Sequence, residues 1–451
     1  MLNNLSHKEK DEIIISLWEE NQRLEAENEA LNSQTSGINA PKKNSDNSSI
    51  PPSKDQKANK GSSKRRKRKP RSEGNQGRSL DPTPTQIVIA SAKNCPHCGE
   101  EVSDQHLHAR YDKIEIPPVK PIVTRVEQYG GHCSHCHQDY VSPVPTNLEP
   151  GTPFGKSIQT LATYFRYTHA ISYNRLSSLF KEVYSLDISE GGLANLFKQV
   201  KNRLEPQVEE ILSRLRSSRI VCSDETSARV NGNNEWEWVF QNSDVCFHII
   251  RPSRGQKIIE EVMDGNQPEV WVSDLYSSQA NHPATKWQVC LAHQLRDCKY
   301  AIDAGDELFA PRMKQLLLRS FVVHRRRTKL KPNTLYQYRC DLKRRLTQCL
   351  DILPTHKDGV RLKKRYTKIQ DSLFLFLEDA SVPPTNNSSE QAIRMSTIFR
   401  KVTNGFRSDW GKDLFANVRS IVNTGKRQGL SAFQSISKAL SPLTSFFSPS
   451  C

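Results

Sequence analysis

The chain has 451 residues, which is enough for about three domains, and at least one of them can bury a sizeable core. Lys and Arg outnumber Asp and Glu by 65 to 49, so the formal net charge of +16 favours a polyanionic partner, nucleic acid before an anionic membrane. No apolar run approaches the roughly 20 residues that span a bilayer, which excludes a membrane-spanning protein.

The cysteines indicate a reducing compartment. The first residues, MLNNLSHKEKDE, lack the apolar region of a secretory signal. The eleven cysteines are odd in number and include two Cys-x-x-Cys pairs, which favours metal binding over disulfides. We therefore expect a cytoplasmic, nucleoid-associated protein with no membrane partner.

Residues 1–33 contain a charged helix with a short heptad pattern. Two positions of the heptad recur every seven residues: Leu17, Leu24 and Leu31 in one, and Ile14, Asn21 and Asn28 in the other. Asn at such positions fixes register and strand number but lowers stability, and three heptads form a weak zipper. The pattern predicts a leucine-zipper-like coiled-coil helix that makes the chain a homo-oligomer, with an ordinary amphipathic helix as the alternative.

Residues 34–86 are rich in Ser, Asn, Lys, Pro and Gly and nearly lack large apolar side chains. Such a segment cannot bury enough surface to offset its chain entropy, so we expect a disordered linker. It carries a compact basic block that is expected to bind DNA: Lys64, Arg65, Arg66, Lys67, Arg68, Lys69 and Arg71. Such binding would neutralise phosphates without reading sequence, and the alternative is a solubilising tail.

Residues 87–146 carry the two cysteine pairs, Cys95 with Cys98 and Cys133 with Cys136. Pairs about 34 residues apart suit a tetrahedral zinc site of four thiolates. The intervening residues 112–130 alternate apolar and polar side chains and predict two strands of a zinc ribbon. Three neighbouring histidines are alternative ligands: His97, His135 and His137. A closed four-ligand site is structural, so Zn²⁺ is expected to support the fold and a docking surface.

Residues 147–216 predict three helices, over 155–169, 172–185 and 189–215, and Ser189 is the expected N-cap of the third. A helix, a short turn and a second helix resemble a helix-turn-helix, whose second helix enters a major groove of DNA. A helical bundle that packs onto the following domain has the same apolar periodicity and is the alternative.

Residues 217–430 begin with short β-branched and apolar runs. Strands are expected over 219–226, 234–242, 245–253, 269–275 and 286–293, with a helix over 255–264. Asn231 and Gly232 predict a hairpin turn. The order β-β-β-α-β-α-β is that of an RNase H-like fold, in which the first and fourth strands are neighbours. A basic helical insertion is expected over about 303–380, and residues 431–451 are expected to form a C-terminal tail.

Three carboxylates have informative contexts. Asp224 and Asp274 end the first and fourth predicted strands, and Glu390 opens a helix after a Pro-Asn-Ser cluster. Converging carboxylates suit hard cations, above all a Mg²⁺ pair acting on phosphodiesters. We expect Asp224 to bridge two ions of Mg²⁺, or of Mn²⁺, while Asp274 holds one of them and Glu390 the other.

Other candidate ligands are weaker. Glu225 follows Asp224 on the strand, so its side chain points to the opposite face of the sheet. Glu378 and Asp379 precede the Pro383-Pro384 break and lack the Asn-Asn-Ser context. A second zinc site is also disfavoured, because buried thiols commonly behave as small hydrophobes; its residues would be Cys290, His293 and Cys298.

Several long motifs follow one another in an order known from one family. They are NSSIPPSKD at 47–55, CPHCG at 95–99, SDET at 223–226, CLAHQLRD at 290–297, NNSSEQAIR at 386–394, RKVTNGFRSDWG at 400–411 and VRSIVNTGKRQG at 418–429. On these motifs, nearly end to end, the chain resembles the transposases of insertion-sequence family sixty-six, a group of bacterial DDE transposases. It departs from many members at Thr385, where they have Asp, and at Gln391, where they have Arg.

The resemblance implies a DNA transposase that binds the ends of an insertion sequence and catalyses Mg²⁺-dependent strand cleavage and strand transfer. Its DDE triad would be Asp224, Asp274 and Glu390. It also implies contacts to DNA by six further residues: His293, Arg296, Arg394, Arg400, Lys401 and Arg407. Expected partners are the element's ends, target DNA and accessory proteins of the same element.

The expected fold class is multidomain. It comprises an N-terminal coiled-coil helix with a disordered basic linker, a zinc ribbon, a helical domain and an α/β RNase H-like catalytic core with a helical insertion. Two other functions remain open on the sequence: a non-catalytic zinc-ribbon DNA-binding protein, and a metal-dependent nuclease that cuts DNA without joining it.

Overall fold

A computed structural model of the chain describes residues 20, 22–24, 41, 43–44, 46–48, 83–146, 148–441 and 446–447. The predicted basic block and most of the predicted zipper and linker lie outside these residues, so those predictions remain predictions. The described part of the chain forms two compact units. One unit contains residues 125–178 and 188 onwards, and the other contains residues 83–124 and 179–187.

The helices follow the predicted order closely. The first seven are α1 (Lys156–His169), α2 (Tyr173–Tyr184), α3 (Glu190–Arg216), α4 (Lys257–Met263), α5 (Ser277–Ala280), α6 (Leu291–Asp303) and α7 (Phe309–Arg326). The next six are α8 (Pro332–Leu350), α9 (Lys357–Ile369), α10 (Leu375–Glu378), α11 (Asn387–Thr403), α12 (Asp409–Arg427) and α13 (Ala432–Ala439). None of the helices in the described ranges is both long and apolar enough to cross a membrane.

A five-stranded mixed sheet lies at the centre of the larger unit. Two short strands come first in the chain, and the sheet contains the other five: β1 (Gly130–His132), β2 (Asp139–Val141), β3 (Ile220–Val230), β4 (Asn233–Gln241), β5 (Cys246–Arg251), β6 (Val270–Ser273) and β7 (Lys286–Val289). The strand order is β5-β4-β3-β6-β7. β3, β4 and β5 pair antiparallel, whereas β6 pairs parallel with both β3 and β7. The predicted adjacency of the first and fourth strands is confirmed.

The β3–β4 hairpin turns where the sequence predicts it. Asn231 and Gly232 have φ angles of 49° and 82°, the left-handed conformation that a tight hairpin turn of this kind requires. The turn is held from outside by the loop after α11, because Asn231 donates its backbone N–H to the carbonyl of Phe406 at 2.8 Å. This contact ties the far end of the hairpin to the helix that carries Glu390.

One side of the sheet is covered by α12 and α3. Buried side chains line the whole length of α3, among them Leu193, Phe197 and Ile211. Ser189 caps this helix as predicted, since its hydroxyl accepts the N–H of Gly192 at 3.0 Å. Along this face α3 packs against α12. This contact favours a helical bundle over a DNA-binding helix-turn-helix for residues 147–216.

The basic insertion packs at the β6–β7 end of the sheet. Its helices α7 to α10 enclose a core that includes Phe309, Leu317, Leu342, Tyr366 and Phe376, and this core is continuous with the buried side chains of β6 and β7. Over residues 303–380 basic side chains outnumber acidic ones by eighteen to nine, so the insertion presents a basic surface. Residues 303–380 are helical, as expected, and their role as an insertion into an RNase H-like fold stays a prediction.

Two local predictions need revision. Residues 112–129 contain no strand, because Pro117, Pro118 and Pro121 lack backbone N–H donors; the strands β1 and β2 instead flank the second cysteine pair. The segment expected as a C-terminal tail contains α13, which Ser431 caps through a reciprocal pair of hydrogen bonds with Gln434.

Candidate active site

Asp224 and Asp274 occupy equivalent positions on neighbouring strands. β3 pairs with β6 in parallel up to Cys222 and Val272, and each aspartate lies two residues beyond this last pair. Side chains at equal register on parallel strands point to the same face of a sheet. The sheet therefore brings the two carboxylates together, although fifty positions separate them in the sequence.

The environment of Asp224 disfavours its charge. Burial is the main cause, and the neighbouring charges of Glu225 and Asp274 add to it, so the pKa of Asp224 is raised well above its ordinary value. One carboxylate oxygen of Asp224 accepts the backbone N–H of Glu225 at 2.9 Å. Likewise, Asp274 accepts the N–H of Tyr276 at 2.9 Å. A cation would relieve the repulsion within this pair.

Glu225 points to the other face of the sheet, as predicted. One of its oxygens accepts hydrogen bonds from Nε and Nη2 of Arg254, at 3.0 and 2.7 Å. The other oxygen accepts the side-chain amide of Gln279 at 2.7 Å. Both oxygens are engaged by protein donors, so Glu225 has a structural role behind Asp224.

Arg254 is held by more than Glu225. Its guanidinium lies over the ring of Trp236 at 4.5 Å and over the ring of Tyr276 at 3.5 Å, measured to the ring centroids. Since Tyr276 follows Asp274 closely and its N–H binds that carboxylate, the stack supports the loop after β6. The sequence contains no signal for this arrangement, because its three members lie on separate segments.

Glu390 lies in the first turn of α11, and Asn386 fixes the start of that helix. The side-chain amide of Asn386 donates to the carbonyl of Ser223 at 2.7 Å, and its backbone N–H donates to Sγ of Cys290 at 3.2 Å. Its side-chain oxygen accepts the hydroxyl of Ser389 at 2.6 Å. Through these contacts Asn386 joins α11 to β3 and to the beginning of α6.

A second set of contacts joins α11 to β4. The amide of Gln241 donates to the hydroxyls of Ser388 and Ser389, both at 2.8 Å, and its oxygen accepts Nη2 of Arg427. Ser388 and Ser389, which precede Glu390 in the motif NNSSEQAIR, therefore serve to bind α11 to Gln241 of β4. Sequence reasoning missed Gln241, which looks like an ordinary strand residue.

His293 and Arg296 on α6 face Glu390. His293 Nδ1 lies 3.8 Å from one carboxylate oxygen of Glu390, and Arg296 Nη2 lies 3.8 Å from the other. Burial disfavours the charged imidazole, but a hydrogen bond with Cys290 and the charges of Cys290, Asp274 and Glu390 outweigh it and raise the pKa of His293 to about 9. The carboxylates thus have two cationic neighbours.

The potential ligand atoms are not all equally close. Within the described ranges, one group of three His, Cys, Asp or Glu residues has its ligand atoms within 4.8 Å of one another, and it consists of Cys290, His293 and Glu390. The carboxylates of Asp224, Asp274 and Glu390 do not all meet this limit together. The three acids therefore form no compact single-ion cage, although the charges of Asp274 and Glu390 both act on His293.

The other predicted DNA-contacting residues lie along α11 and the loop after it. Arg394 is exposed and lies one helical turn from Glu390. Arg400 is bound to β3, because its guanidinium donates to the carbonyl of Ser227 and to its hydroxyl, the latter at 2.6 Å. Lys401 and Arg407 are exposed. Three of these basic side chains thus lie on the helix of Glu390, and Arg407 lies in the loop that follows it.

Each cysteine pair forms a tight turn of the same kind. Backbone N–H groups of His97 and Cys98 point at the sulfur of Cys95 and lower its pKa. Cys133 repeats this pattern with the N–H of Cys136 first, and its pKa is also lowered. N–H groups directed at a sulfur favour the thiolate, which is the form that binds metal.

One family model, described as Transposase IS66 family, matches residues 151–413, which is more than half of the chain. The matched residues run from the helical region to the start of α12 and include Asp224, Asp274 and Glu390. No curated protein matches the chain.

Proposed function

The chain belongs to the IS66 family of transposases, and we propose that it binds the ends of a bacterial insertion sequence and catalyses Mg²⁺-dependent cleavage and strand transfer. In this proposal Asp224, Asp274 and Glu390 are the catalytic carboxylates. The proposal also includes an RNase H-like core, for which the sheet order β5-β4-β3-β6-β7, with β6 and β7 parallel to β3, is the supporting observation.

One observation carries the proposal. Asp224 and Asp274 lie at equal register beyond the last pair of two neighbouring parallel strands, and the helix of Glu390 is tied to one of these strands by the bond from Asn386 to Ser223. The three acids come from distant parts of the chain, and a DNA-binding protein without catalysis has no need of clustered acids that repel phosphates. Clustered carboxylates next to bound DNA are explained by a metal-dependent reaction at the phosphodiester.

The carboxylates fit Mg²⁺. They offer hard oxygen ligands, and a divalent cation would offset the burial and the neighbouring negative charges that raise the pKa of Asp224. Asp224, Asp274 and Glu390 would hold a pair of ions better than a single one, because their carboxylates form no compact single-ion cage. Bound there, Mg²⁺ or Mn²⁺ would activate the attacking hydroxyl and stabilise the leaving oxygen of an in-line displacement.

The residues around the carboxylates would hold the DNA. His293 and Arg296 carry positive charge next to Glu390, where a scissile phosphate would be attracted. Arg394 extends this positive edge along α11, and Lys401 and Arg407 continue it, so these side chains would position the backbone of the duplex. The basic block at residues 64–71 would add affinity that is blind to sequence.

Structural Zn²⁺ at the four cysteines stays a prediction. It is supported by the directed N–H groups at Cys95 and at Cys133, each considered separately. Oligomer formation through the residues 1–33 and the accessory proteins are likewise predictions that rest on the sequence alone.

A cleavage and joining assay tests the proposal. Purified chain is incubated with a supercoiled plasmid that carries the element's two ends and with Mg²⁺, and the products are mapped by sequencing. We expect breaks at the outer boundaries of the ends and, in the same reaction, ends joined to new DNA. Breaks without joined products would indicate the nuclease alternative, and the absence of any Mg²⁺-dependent break would contradict the catalytic proposal.

A further inference from the structure

Three residues beside the proposed Mg²⁺ position form a ligand set of a different chemical kind. Sγ of Cys290, a ring nitrogen of His293 and a carboxylate oxygen of Glu390 all lie within 4.8 Å of one another. Cys290 and His293 come from the start of α6, and Glu390 comes from the first turn of α11. The contacts of Asn386 and of Leu291, whose N–H binds the carbonyl of Pro384 at 3.0 Å, hold the two helix ends together.

Two of the three ligand atoms are buried and make no hydrogen bond, and their ion pair with each other is too long to be one. His293 Nδ1 and Glu390 Oε1 have no hydrogen-bond partner in the described structure, and they face each other at 3.8 Å. A buried polar atom left unpaired costs free energy, so a pair of them facing each other needs an explanation. A cation between the nitrogen and the oxygen would satisfy both atoms at once.

The distance suits a transition-metal ion. Zn²⁺ binds nitrogen and oxygen at about 2.0–2.1 Å, so two of its ligands in a tetrahedron are separated by about 3.4 Å. The observed distance between His293 Nδ1 and Glu390 Oε1 is 3.8 Å. A small change in the rotamer of Glu390 would close this gap. Glu390 is about one-third exposed, which leaves a route to the site from solvent.

The donor atoms select a borderline ion over Mg²⁺. A thiolate, an imidazole and a carboxylate form a set that Zn²⁺ accepts, whereas Mg²⁺ takes oxygen ligands. The N–H of Asn386 already points at Sγ of Cys290, which is the type of outer contact that supports a metal-bound thiolate. Cys298, which the sequence had suggested as a partner, lies elsewhere: its Sγ contacts the hydroxyl of Tyr366 at 3.3 Å.

We propose that Cys290, His293 and Glu390 form a binding site for Zn²⁺, or an ion of similar chemistry, which displaces the protons of the thiol and the imidazole and leaves a fourth position to water. Because Glu390 belongs to both ligand sets, an ion held here removes this carboxylate from the Mg²⁺ position. Occupation of the site therefore inhibits cleavage. The inhibition rests on the proposed function, whereas the metal binding does not.

Cobalt spectroscopy on the full chain tests the binding. Co²⁺ is added to protein that has been dialysed to keep only tightly bound Zn²⁺, so that the cysteine pairs at 95–98 and 133–136 are common to all samples, and difference spectra are taken against Cys290→Ser. We expect the parent to show the visible bands of tetrahedral Co²⁺ with a sulfur-to-cobalt charge-transfer band, and Cys290→Ser to lack that increment. Identical spectra from the two proteins would overturn the site.

Two further variants guard against a folding artefact. Cys298→Ser removes another buried thiol from the same helix and should keep the cobalt signal. Glu390→Gln keeps the shape of the side chain and should weaken Co²⁺ binding by more than about tenfold, the loss known for even outer partners of metal ligands. Unchanged affinity in Glu390→Gln would remove the glutamate from the site and so contradict the proposal.

A cleavage assay at fixed Mg²⁺ tests the inhibition. Zn²⁺ should reduce cleavage by the parent, and Cys290→Ser should need at least about tenfold more Zn²⁺ for the same reduction. Equal sensitivity of the two proteins would overturn the inhibitory statement. If no Mg²⁺-dependent cleavage occurs at all, the proposed function fails, while the cobalt spectra still decide the metal site.

Discussion

Asn386 donates its side-chain amide to the carbonyl of Ser223 at 2.7 Å, and this bond joins the helix of Glu390 to the strand of Asp224. Ser223 immediately precedes Asp224, and Asn386 lies one helical turn before Glu390. The distance between two proposed catalytic carboxylates is thus set by a short, buried polar contact.

Asn386→Ala should disturb the site without removing a ligand. The change breaks the bonds to Ser223 and Ser389 and leaves buried polar groups unpaired, which should lower the free energy of unfolding by about 1–3 kcal/mol. Cleavage should fall more than DNA binding does, because α11 loses its anchor to β3. Chemical denaturation and cleavage rates measure the two effects. Asn387→Ala is the matched control, since Asn387 is exposed; equal effects of both variants would contradict the anchoring role.

Asp224→Asn, Asp274→Asn and Glu390→Gln should each abolish Mg²⁺-dependent cleavage of the element's ends and leave DNA binding intact or tighter. Each change removes a metal-binding charge and keeps the side chain's shape. Gel-shift and cleavage assays on the same preparations separate the two properties. Glu378→Gln is the control, because Glu378 pairs with Arg339 and Lys343 on α8 and should retain cleavage. Near-normal cleavage by Glu390→Gln would mean that the third ligand is misassigned.

Asp224→Asn should also stabilise the metal-free protein at neutral pH. The carboxyl of an unfolded aspartate titrates near pH 3.9, whereas burial and the neighbouring carboxylates raise the pKa of Asp224 in the folded state. Between these two values the folded state binds the proton more tightly, so stability falls as pH rises through this window and stays lower above it.

Asp224→Asn has no titrating carboxyl at this position, so it does not lose stability as the pH rises. In chelator, Asp224→Asn should melt at a higher temperature than the parent at pH 7, and the difference should shrink towards pH 4 and below. Calorimetry across this pH range measures it. Asp244→Asn, in an exposed turn after β4, serves as control and should melt like the parent. A lower melting temperature for Asp224→Asn at pH 7 would show that its charge is compensated in the folded state.

Purified chain, dialysed to remove weakly held metal, should contain one tightly bound Zn²⁺. Cys95→Ser or Cys133→Ser should release it together with local structure, because a structural site contributes folding free energy directly. Elemental analysis and circular dichroism measure both losses. Cys340→Ser, which removes an exposed cysteine of α8, should change neither. A chain that holds no zinc, or loses it only when Cys290 is changed, would refute the four-cysteine site.

Deleting residues 1–86 should weaken DNA binding and make its salt dependence shallower. The logarithm of affinity falls with the logarithm of salt concentration by about 0.9 per neutralised phosphate, so the slope should decrease by up to about 6 if all seven basic side chains at 64–71 contact phosphates. The deletion should also reduce dimer formation, and cleavage at saturating DNA and low salt should be partly preserved.

A second variant separates charge from the predicted zipper. Replacing the seven basic residues at 64–71 with Gln should reproduce the change in salt slope and leave dimer formation as it is in the parent. Filter binding at several salt concentrations and light scattering measure the two properties. An unchanged slope in both variants would assign the block to solubility, and the DNA contacts would then have to come from the helical region and the basic insertion.

The sequence by itself determined the local elements and the chemical character of the site. The Asn-Gly turn, the Ser189 cap, the succession of strands along the chain and the start of α11 depend on residues close together in the chain, where turn geometry, capping and hydrophobic periodicity act. The same local context marked Asp224, Asp274 and Glu390. The local pattern gave a wrong prediction for residues 112–129, where the prolines prevent strand pairing although apolar and polar side chains alternate.

Only the tertiary structure decided which residues share a site. The equal register of Asp224 and Asp274 depends on the pairing of β3 with β6, and no local pattern specifies a register between distant strands. The roles of Gln241 and Asn386, and the meeting of Cys290 with Glu390, likewise depend on how α6 and α11 pack against the sheet. The physical reason is that packing and buried hydrogen bonds join side chains across the whole chain, whereas local patterns report only the element to which each residue belongs.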